Sequence, residues 1–125
     1  MATHWEAVQN RTLLEVTLPG THDAGAYNLS SRLQPGDSAS PFVDDIIRIA
    51  EKLHIPVEDV ITPWGRAQDR SLYGQLTSGE ISYVDFRAGF NGTTWTTFHF
   101  EQGNPCQVLL DDIRRFLDAT QNSTV

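Results

Sequence analysis

A glycine-bounded turn over residues 20–25, with a histidine and an aspartate inside it, constrains the fold of this chain more than any other stretch. His22 and Asp23 follow the apolar run Leu13–Leu18. That run predicts a β-strand, which Pro19 would end because proline lacks the N–H that a central strand donates. His22 and Asp23 are therefore predicted to leave the C-terminal end of a strand, where α/β enzymes place their reacting groups.

The remaining sequence alternates between helical and strand patterns, which predicts the α/β class. Helices are predicted from Pro41 to about His54, from Pro56 to Ile61 with Pro63 as the stop, from about Ser71 to Ser78 before Gly79, and from the Asn104–Pro105 cap to Leu117. Strands are predicted over Ile81–Arg87 and Thr93–Phe100, joined by an Asn91–Gly92 turn.

Two further residues with useful chemistry stand at predicted strand ends. Arg87 closes the second predicted strand, and His99 lies near the end of the third. Two imidazoles can act as base and acid, and a guanidinium can stabilise charge on a phosphate under attack. The structural alternatives are a strand-end salt bridge for Arg87 and a core histidine for His99. His54 is a poorer candidate because it stands at a predicted helix end.

Composition excludes several classes of function. The net charge is −7 and Lys52 is the only lysine, which argues against binding DNA or RNA and against polybasic docking on an anionic membrane. Cys106 is the only cysteine, so neither an internal disulfide nor a cysteine-rich zinc site is expected, and we interpret it as a small buried residue.

The compartment is indicated only by possible glycosylation sites. No apolar run is long enough to span a bilayer, and no N-terminal signal is visible, although one could lie upstream of residue 1. Four N-glycosylation acceptor patterns begin at Asn10, Asn28, Asn91 and Asn122. They favour a secreted or membrane-surface location, and a cytoplasmic one stays open.

Six short stretches, in series, resemble the X domain of phosphatidylinositol-specific phospholipase C. They are Leu18–Gly25 (LPGTHDAG), Trp64–Gln68 (WGRAQ), Gln75–Gly79 (QLTSG), Tyr83–Arg87 (YVDFR), the strand at His99, and Leu109–Leu117 (LLDDIRRFL). The similarity is greatest to the metal-independent branch, which includes small eukaryotic X-domain proteins and trypanosomatid enzymes that cleave glycosylphosphatidylinositol. One departure is that Phe100 follows His99 where the family often has glycine.

The resemblance implies a role for each candidate residue. His22 would be the general base that deprotonates the inositol 2-hydroxyl, and His99 the general acid that protonates the departing oxygen. Asp23 would orient His99, Arg87 would bind the phosphate oxygens, and Asp85 would line the same mouth. Calcium-dependent relatives have an acidic ligand at the place of Arg87, so no metal and no cofactor are expected.

The resemblance also implies a fold and a substrate. The family fold is a (β/α)₈ TIM-type barrel, which needs about 250 residues. Residues 1–125 are therefore expected to be the N-terminal half of the catalytic domain, with the rest of the barrel, including the carboxylate that orients the first histidine, beyond Val125. The implied partner is a phosphoinositide or its glycosylated derivative, met by peripheral membrane contact. A phosphodiesterase with another headgroup and a non-catalytic scaffold that binds a headgroup or a protein stay open as alternatives.

Overall fold

A computed structural model describes residues 9–35, 41–78 and 81–121. Its helices are α1 (Pro41–Lys52), α2 (Val57–Gly65), α3 (Leu72–Ser78) and α4 (Cys106–Gln121), with a short 3₁₀ turn at Leu13–Glu15. Its strands are β1 (Gly20–Thr21), β2 (Tyr83–Val84), β3 (Ala88–Phe90), β4 (Trp95–His99) and β5 (Glu101–Pro105). Gly79 and Asn122, which entered the sequence predictions, lie outside the described residues.

The strands form two small sheets. β1 and β2 pair in parallel, and β3, β4 and β5 form an antiparallel sheet in that order. This mixed architecture is compatible with the predicted α/β class. The described ranges show no closure of a barrel, so the (β/α)₈ fold stays a prediction.

The core lies between α3, α4 and the loop that carries His22. Its buried members are Ala24, Leu72, Leu76 and Leu109, and partly buried residues from β2, α4 and the loops pack against them. At the surface of the α3–α4 contact, the Arg115 guanidinium stands 3.9 Å above the Tyr73 ring. Because Ala24 belongs to this core, the neighbouring Asp23 is anchored to it.

The first predicted strand is wrong. The Glu15 carboxylate accepts hydrogen bonds from the Thr12 N–H at 2.9 Å and the Thr12 hydroxyl at 3.0 Å, which closes a local turn instead. Leu13 and Leu14 are 82% and 100% exposed, so they bury little surface that would support a strand. Pairing begins at Pro19, whose carbonyl accepts from the N–H groups of residues 82 and 83. Proline cannot donate a hydrogen bond to a neighbouring strand because it has no N–H. Its carbonyl can still accept, so strand pairing can begin at Pro19.

Two predicted helix ends are also wrong. α2 continues through Pro63 to Gly65, and the Arg66 N–H donates to the Thr62 carbonyl at 3.1 Å, which completes the last turn. Proline removes one helical hydrogen bond, and the helix nevertheless continues to the buried Gly65. α4 extends to Gln121, one turn past the predicted end at Leu117.

The second predicted strand is shorter than expected, and a separate strand follows it. Residues 81–87 contribute only β2, and β3 follows as a separate strand that pairs with β4. The Asn91–Gly92 turn is confirmed, with Gly92 at φ +97°. β5 was not predicted. Its Gly103 lies against the Thr97 hydroxyl of β4, where a Cβ would collide. Glycine therefore permits the close approach of β5 to β4 at this point.

None of the helices in the described ranges is long and apolar enough to cross a membrane.

Candidate active site

The parallel pairing of β1 with β2 brings His22 next to Asp85. Thr21 pairs with Val84, and one residue further along each chain stand His22 and Asp85. The Asp85 N–H donates to the Thr21 carbonyl at 3.0 Å, and the Ala24 N–H donates to the Asp85 carbonyl at 2.8 Å. These two hydrogen bonds continue the pairing beyond the strands and fix both side chains at the same sheet end. Asp85 Oδ2 lies 2.7 Å from His22 Nδ1.

The carboxylate of Asp23 is the point on which the candidate residues converge. Its Oδ2 lies 3.1 Å from His22 Nε2 and 3.5 Å from His99 Nε2, and its Oδ1 lies 3.3 Å from Arg87 Nε. Asp23 is 3% exposed and has φ +47°, a left-handed conformation that aspartate tolerates better than most residues. Its Oδ1 makes no hydrogen bond within the described residues, so the ion pair with Arg87 is its electrostatic partner.

His99 is held by the end of α2. Its Nδ1 lies 2.7 Å from the carbonyl oxygen of Gly65. Because a carbonyl can only accept, Nδ1 carries a proton, and Nε2 is left to face Asp23. A Cβ at position 65 would stand 2.9 Å from Leu29 Cδ1 and 3.1 Å from the His99 carbonyl oxygen, so glycine permits this approach.

Two glutamines hold the loop that carries His22. Gln68 Nε2 donates to the His22 carbonyl at 2.7 Å. The buried Gln75 accepts from the Thr21 hydroxyl at 2.6 Å and donates to the Ala24 carbonyl at 3.0 Å. Buried amides with satisfied hydrogen bonds fix a single loop geometry.

The positioning contacts made by Gly65 and Gln75 were not predicted from the sequence. The Gly65 contact is made by a backbone carbonyl, which no side-chain pattern reveals. Gln75 did leave a signal, because it is a polar residue beside Leu72 and Leu76 on the buried face of α3. A polar side chain on an apolar helix face must find partners, and here they are in the His22 loop.

The site is open on one side. The His22 and Arg87 side chains are 72% and 46% exposed, whereas His99 is 18% exposed. A ligand can therefore reach both ring systems from solvent while Asp23 stays buried beneath them. His54, the rival histidine of the sequence analysis, is exposed just beyond α1 and belongs to no part of this cluster.

One group among the described residues has the spacing of metal ligands: His22, Asp23 and Asp85, whose ligand atoms lie within 4.8 Å of one another. The guanidinium of Arg87 already neutralises Asp23 and repels a cation at this place. Calcium takes 6–8 oxygen ligands, which a pair of carboxylates and an imidazole do not supply. The donor set therefore fits calcium poorly, and metal independence stays a prediction.

The fold and site thus describe a mixed α/β chain with two histidines and an arginine around one buried carboxylate. Comparison with known proteins finds curated homologues that match most of the chain at low sequence identity. A PI-PLC X domain-containing protein of Dictyostelium discoideum is 27% identical over 124 residues, which is 96% of this chain and 19% of that protein. The variant-surface-glycoprotein phospholipase C of Trypanosoma cruzi is 28% identical over 109 residues, 85% of this chain and 28% of that protein.

A second Dictyostelium discoideum protein, with a PI-PLC X-box domain, is 26% identical over 123 residues, 98% of this chain and 15% of its own length. These homologues confirm the resemblance predicted from the six stretches. The chain spans less than a third of the length of each of them. No family model matches the chain, and no solved structure matches it.

Proposed function

We propose that this chain carries the acid–base site of a phosphoric diester lyase that cleaves phosphatidylinositol or its glycosylated derivative. The observation that carries the proposal is the convergence of His22, His99 and Arg87 on the carboxylate of Asp23, with no contact longer than 3.5 Å. A nucleophilic hydroxyl, a phosphorus and a leaving oxygen need a base, a cation and an acid within a few ångströms of one another. The phospholipase C homologue supports a lipid substrate in general.

The proposed reaction is an internal transfer at phosphorus. His22 takes the proton of the inositol 2-hydroxyl, and the oxygen attacks the neighbouring phosphorus as the bond to the diacylglycerol oxygen breaks. His99 gives its Nε2 proton to that departing oxygen. The products are diacylglycerol and a cyclic inositol phosphate, and no water is consumed. Arg87 stabilises the charge that grows on the phosphate oxygens, which is the main requirement of phosphoryl transfer.

The carboxylate of Asp23 serves both proton transfers in this proposal. Its Oδ2 faces Nε2 of both rings, so it can stabilise whichever imidazole is positively charged. Before the reaction that ring is His99, and after proton abstraction it is His22. Proton transfer by positioned groups of this kind contributes about 10²- to 10⁴-fold each.

The proposal includes the architecture implied by the resemblance. Residues 1–125 would form the N-terminal half of a (β/α)₈ phosphodiesterase domain, and contacts to the far side of the inositol ring would come from other sequence. By itself the 125-residue chain would then turn over substrate slowly or not at all.

Cleavage of phosphatidylinositol in vesicles by the protein at its full natural length, with a chelator present, tests the proposal. We expect a cyclic inositol phosphate, detected by ³¹P NMR, and a fall of about 10³-fold in its rate of formation with His22→Ala. His54→Ala is the matched control, because that histidine is exposed and does not belong to the cluster, and its rate should equal that of the wild type.

Two results would argue against the proposal. A folded protein that forms no cyclic product from phosphatidylinositol or its glycosylated derivative would favour the scaffold alternative. Activity that disappears with the chelator and returns with calcium would contradict the metal-free mechanism.

A further inference from the structure

The imidazole of His22 has a carboxylate on each of its nitrogens. Asp85 Oδ2 lies 2.7 Å from Nδ1, and Asp23 Oδ2 lies 3.1 Å from Nε2. The two contacts differ in kind, because Asp23 is shared with His99 and Arg87, whereas Asp85 makes its side-chain hydrogen bond to His22. The shorter contact is therefore the one devoted to this ring.

The backbone holds Asp85 and His22 next to each other. Asp85 is held on both sides, by its N–H to the Thr21 carbonyl and by its carbonyl to the Ala24 N–H. These partners flank His22 in sequence, so the backbones of Asp85 and His22 cannot separate without breaking the pairing that continues β1 and β2. The His22 carbonyl is held in addition by Gln68.

We propose that Asp85 is the positioning residue that keeps the proton of neutral His22 on Nδ1, so that Nε2 is the atom that acts as the base. The predicted effect of Asp85 on turnover rests on the proposed function, whereas its predicted effect on the position of the ring proton does not. A carboxylate only accepts, and a neutral ring has one proton for its two carboxylates. That proton belongs on Nδ1, because the 2.7 Å contact with Asp85 is a hydrogen bond whereas the 3.1 Å contact of Nε2 with Asp23 is longer, and the lone pair on Nε2 then faces the centre of the site. The family resemblance implied instead that the orienting carboxylate lies beyond Val125 and that Asp85 merely lines the mouth.

Two possible roles of Asp85, positioning the base and binding the substrate, differ in their effect on the kinetics. A residue that sets the protonated nitrogen of a base affects the chemical step, whereas a residue that binds the inositol ring affects binding of substrate. Asp85→Asn keeps the shape of the side chain, but its amide N–H can donate to Nδ1 and so places the ring proton on Nε2. In a serine protease, the same exchange of the orienting carboxylate lowers kcat about 10⁴-fold through the wrong tautomer.

The direct test is the ¹⁵N chemical shifts of the histidine rings in the 125-residue chain, recorded at a pH where the rings are neutral. In the wild type we expect His22 to carry its proton on Nδ1. In Asp85→Asn we expect the proton of His22 to move to Nε2. His99 is an internal control, because its Nδ1–H donates to a backbone carbonyl that the substitution does not touch.

Asp45→Asn is the matched variant, since it removes a carboxylate from the exposed face of α1 and should leave both rings unchanged. A wild-type His22 with its proton on Nε2 overturns the inference without need of any variant. So does an Asp85→Asn chain in which His22 keeps the Nδ1 proton.

Turnover by the protein at its full natural length supplies the second test. We expect Asp85→Asn to lower kcat by about 10²- to 10⁴-fold with KM nearly unchanged. A raised KM with an unchanged kcat overturns the inference in favour of direct substrate binding. If the tautomer changes as expected but the wild type is inactive on phosphoinositides, the positioning role stands and the proposed function fails.

Discussion

At the scale of single residues, Asp23 combines an unusual backbone conformation with a buried charge. Its φ of +47° is one that asparagine also adopts readily and alanine does not. Asp23→Asn and Asp23→Ala should both lower activity by about 10²-fold or more, because each removes the charge between His22, His99 and Arg87. The alanine variant should in addition be less stable than the asparagine variant by about 1 kcal/mol.

Urea unfolding of the two variants measures that difference in the free energy of unfolding. Asp44, exposed on α1, is the matched control, because in a helix alanine is favoured over asparagine and the order should be reversed there. If Asp23→Ala is as stable as Asp23→Asn, the left-handed conformation is not present in solution.

At the scale of elements, α3 supports the His22 loop through Gln75. Replacing Gln75 by alanine leaves the Thr21 hydroxyl and the carbonyls of Ala24 and Arg70 without their side-chain partner. We expect the free energy of unfolding to fall by about 2 kcal/mol, since unsatisfied buried groups cost about 1–3 kcal/mol. Gln107→Ala, which removes an exposed amide from α4, should stay within about 0.5 kcal/mol of the wild type. Equal midpoints of thermal unfolding for the two variants would contradict this role of Gln75.

The contact between α2 and β5 makes stability depend on pH. Burial raises the pKa of Glu101 above its ordinary value of 4.5, the charge of Glu58 raises it further, and the hydrogen bond from Thr62 opposes the rise. An acid whose folded pKa exceeds its unfolded pKa binds its proton more tightly in the folded state. Its stabilising contribution is complete below pH 4.5 and is lost as the pH rises through the folded value.

Glu101→Gln removes this titration and keeps an oxygen that can accept from the Thr62 hydroxyl. The midpoint of thermal unfolding of the variant should therefore rise relative to the wild type as the pH increases from 4 to 8, in the range where buried carboxyls titrate. Glu51→Gln, at the exposed end of α1, should run parallel to the wild type. A constant difference between Glu101→Gln and the wild type over this range would show that Glu101 is not titrating from a buried position.

The sequence predicted best those elements that leave a local signal, either apolar residues at helical spacing or a turn dipeptide. α4 repeats its apolar positions over several turns, α3 places Leu72 and Leu76 one turn apart, and the Asn91–Gly92 turn marks its hairpin locally. β1 and β2 are two-residue strands whose pairing joins positions far apart in sequence, and such short pairing leaves no period. The candidate residues were therefore visible as residue types at strand ends, whereas the His22–Asp85 contact depends on a register that only the structure shows.

The departure at Phe100 has a local explanation of the same kind. Phe100 has φ +63°, in the tight connection between β4 and β5. Glycine adopts this conformation at no steric cost, so the glycine that the resemblance implies at this position would fit it without strain. The sequence alone showed only that the residue differed, whereas the structure shows that the backbone at Phe100 has a conformation that favours glycine.

At the scale of the whole molecule, the net negative charge of the chain opposes its approach to the negatively charged surface of the proposed substrate. The chain has a net charge of −7, and a phosphoinositide surface is also negative. Long-range repulsion should therefore weaken the approach to such a surface, while Arg87 attracts a single phosphate at short range. Salt screens the long-range term first, because the Debye length falls from about 10 Å at 0.1 M to about 3 Å at 1 M.

We accordingly expect the 125-residue chain to bind phosphatidylinositol-containing vesicles more tightly as the ionic strength rises, the opposite of a polybasic membrane protein. Cosedimentation with sucrose-loaded vesicles over a series of salt concentrations measures this. Vesicles of phosphatidylcholine alone are the control, because their neutral surface gives no such repulsion and binding to them should change little. Binding to the anionic vesicles that weakens with salt would mean that a locally positive surface around Arg87 outweighs the net charge, and the site would then attract its substrate electrostatically from a distance.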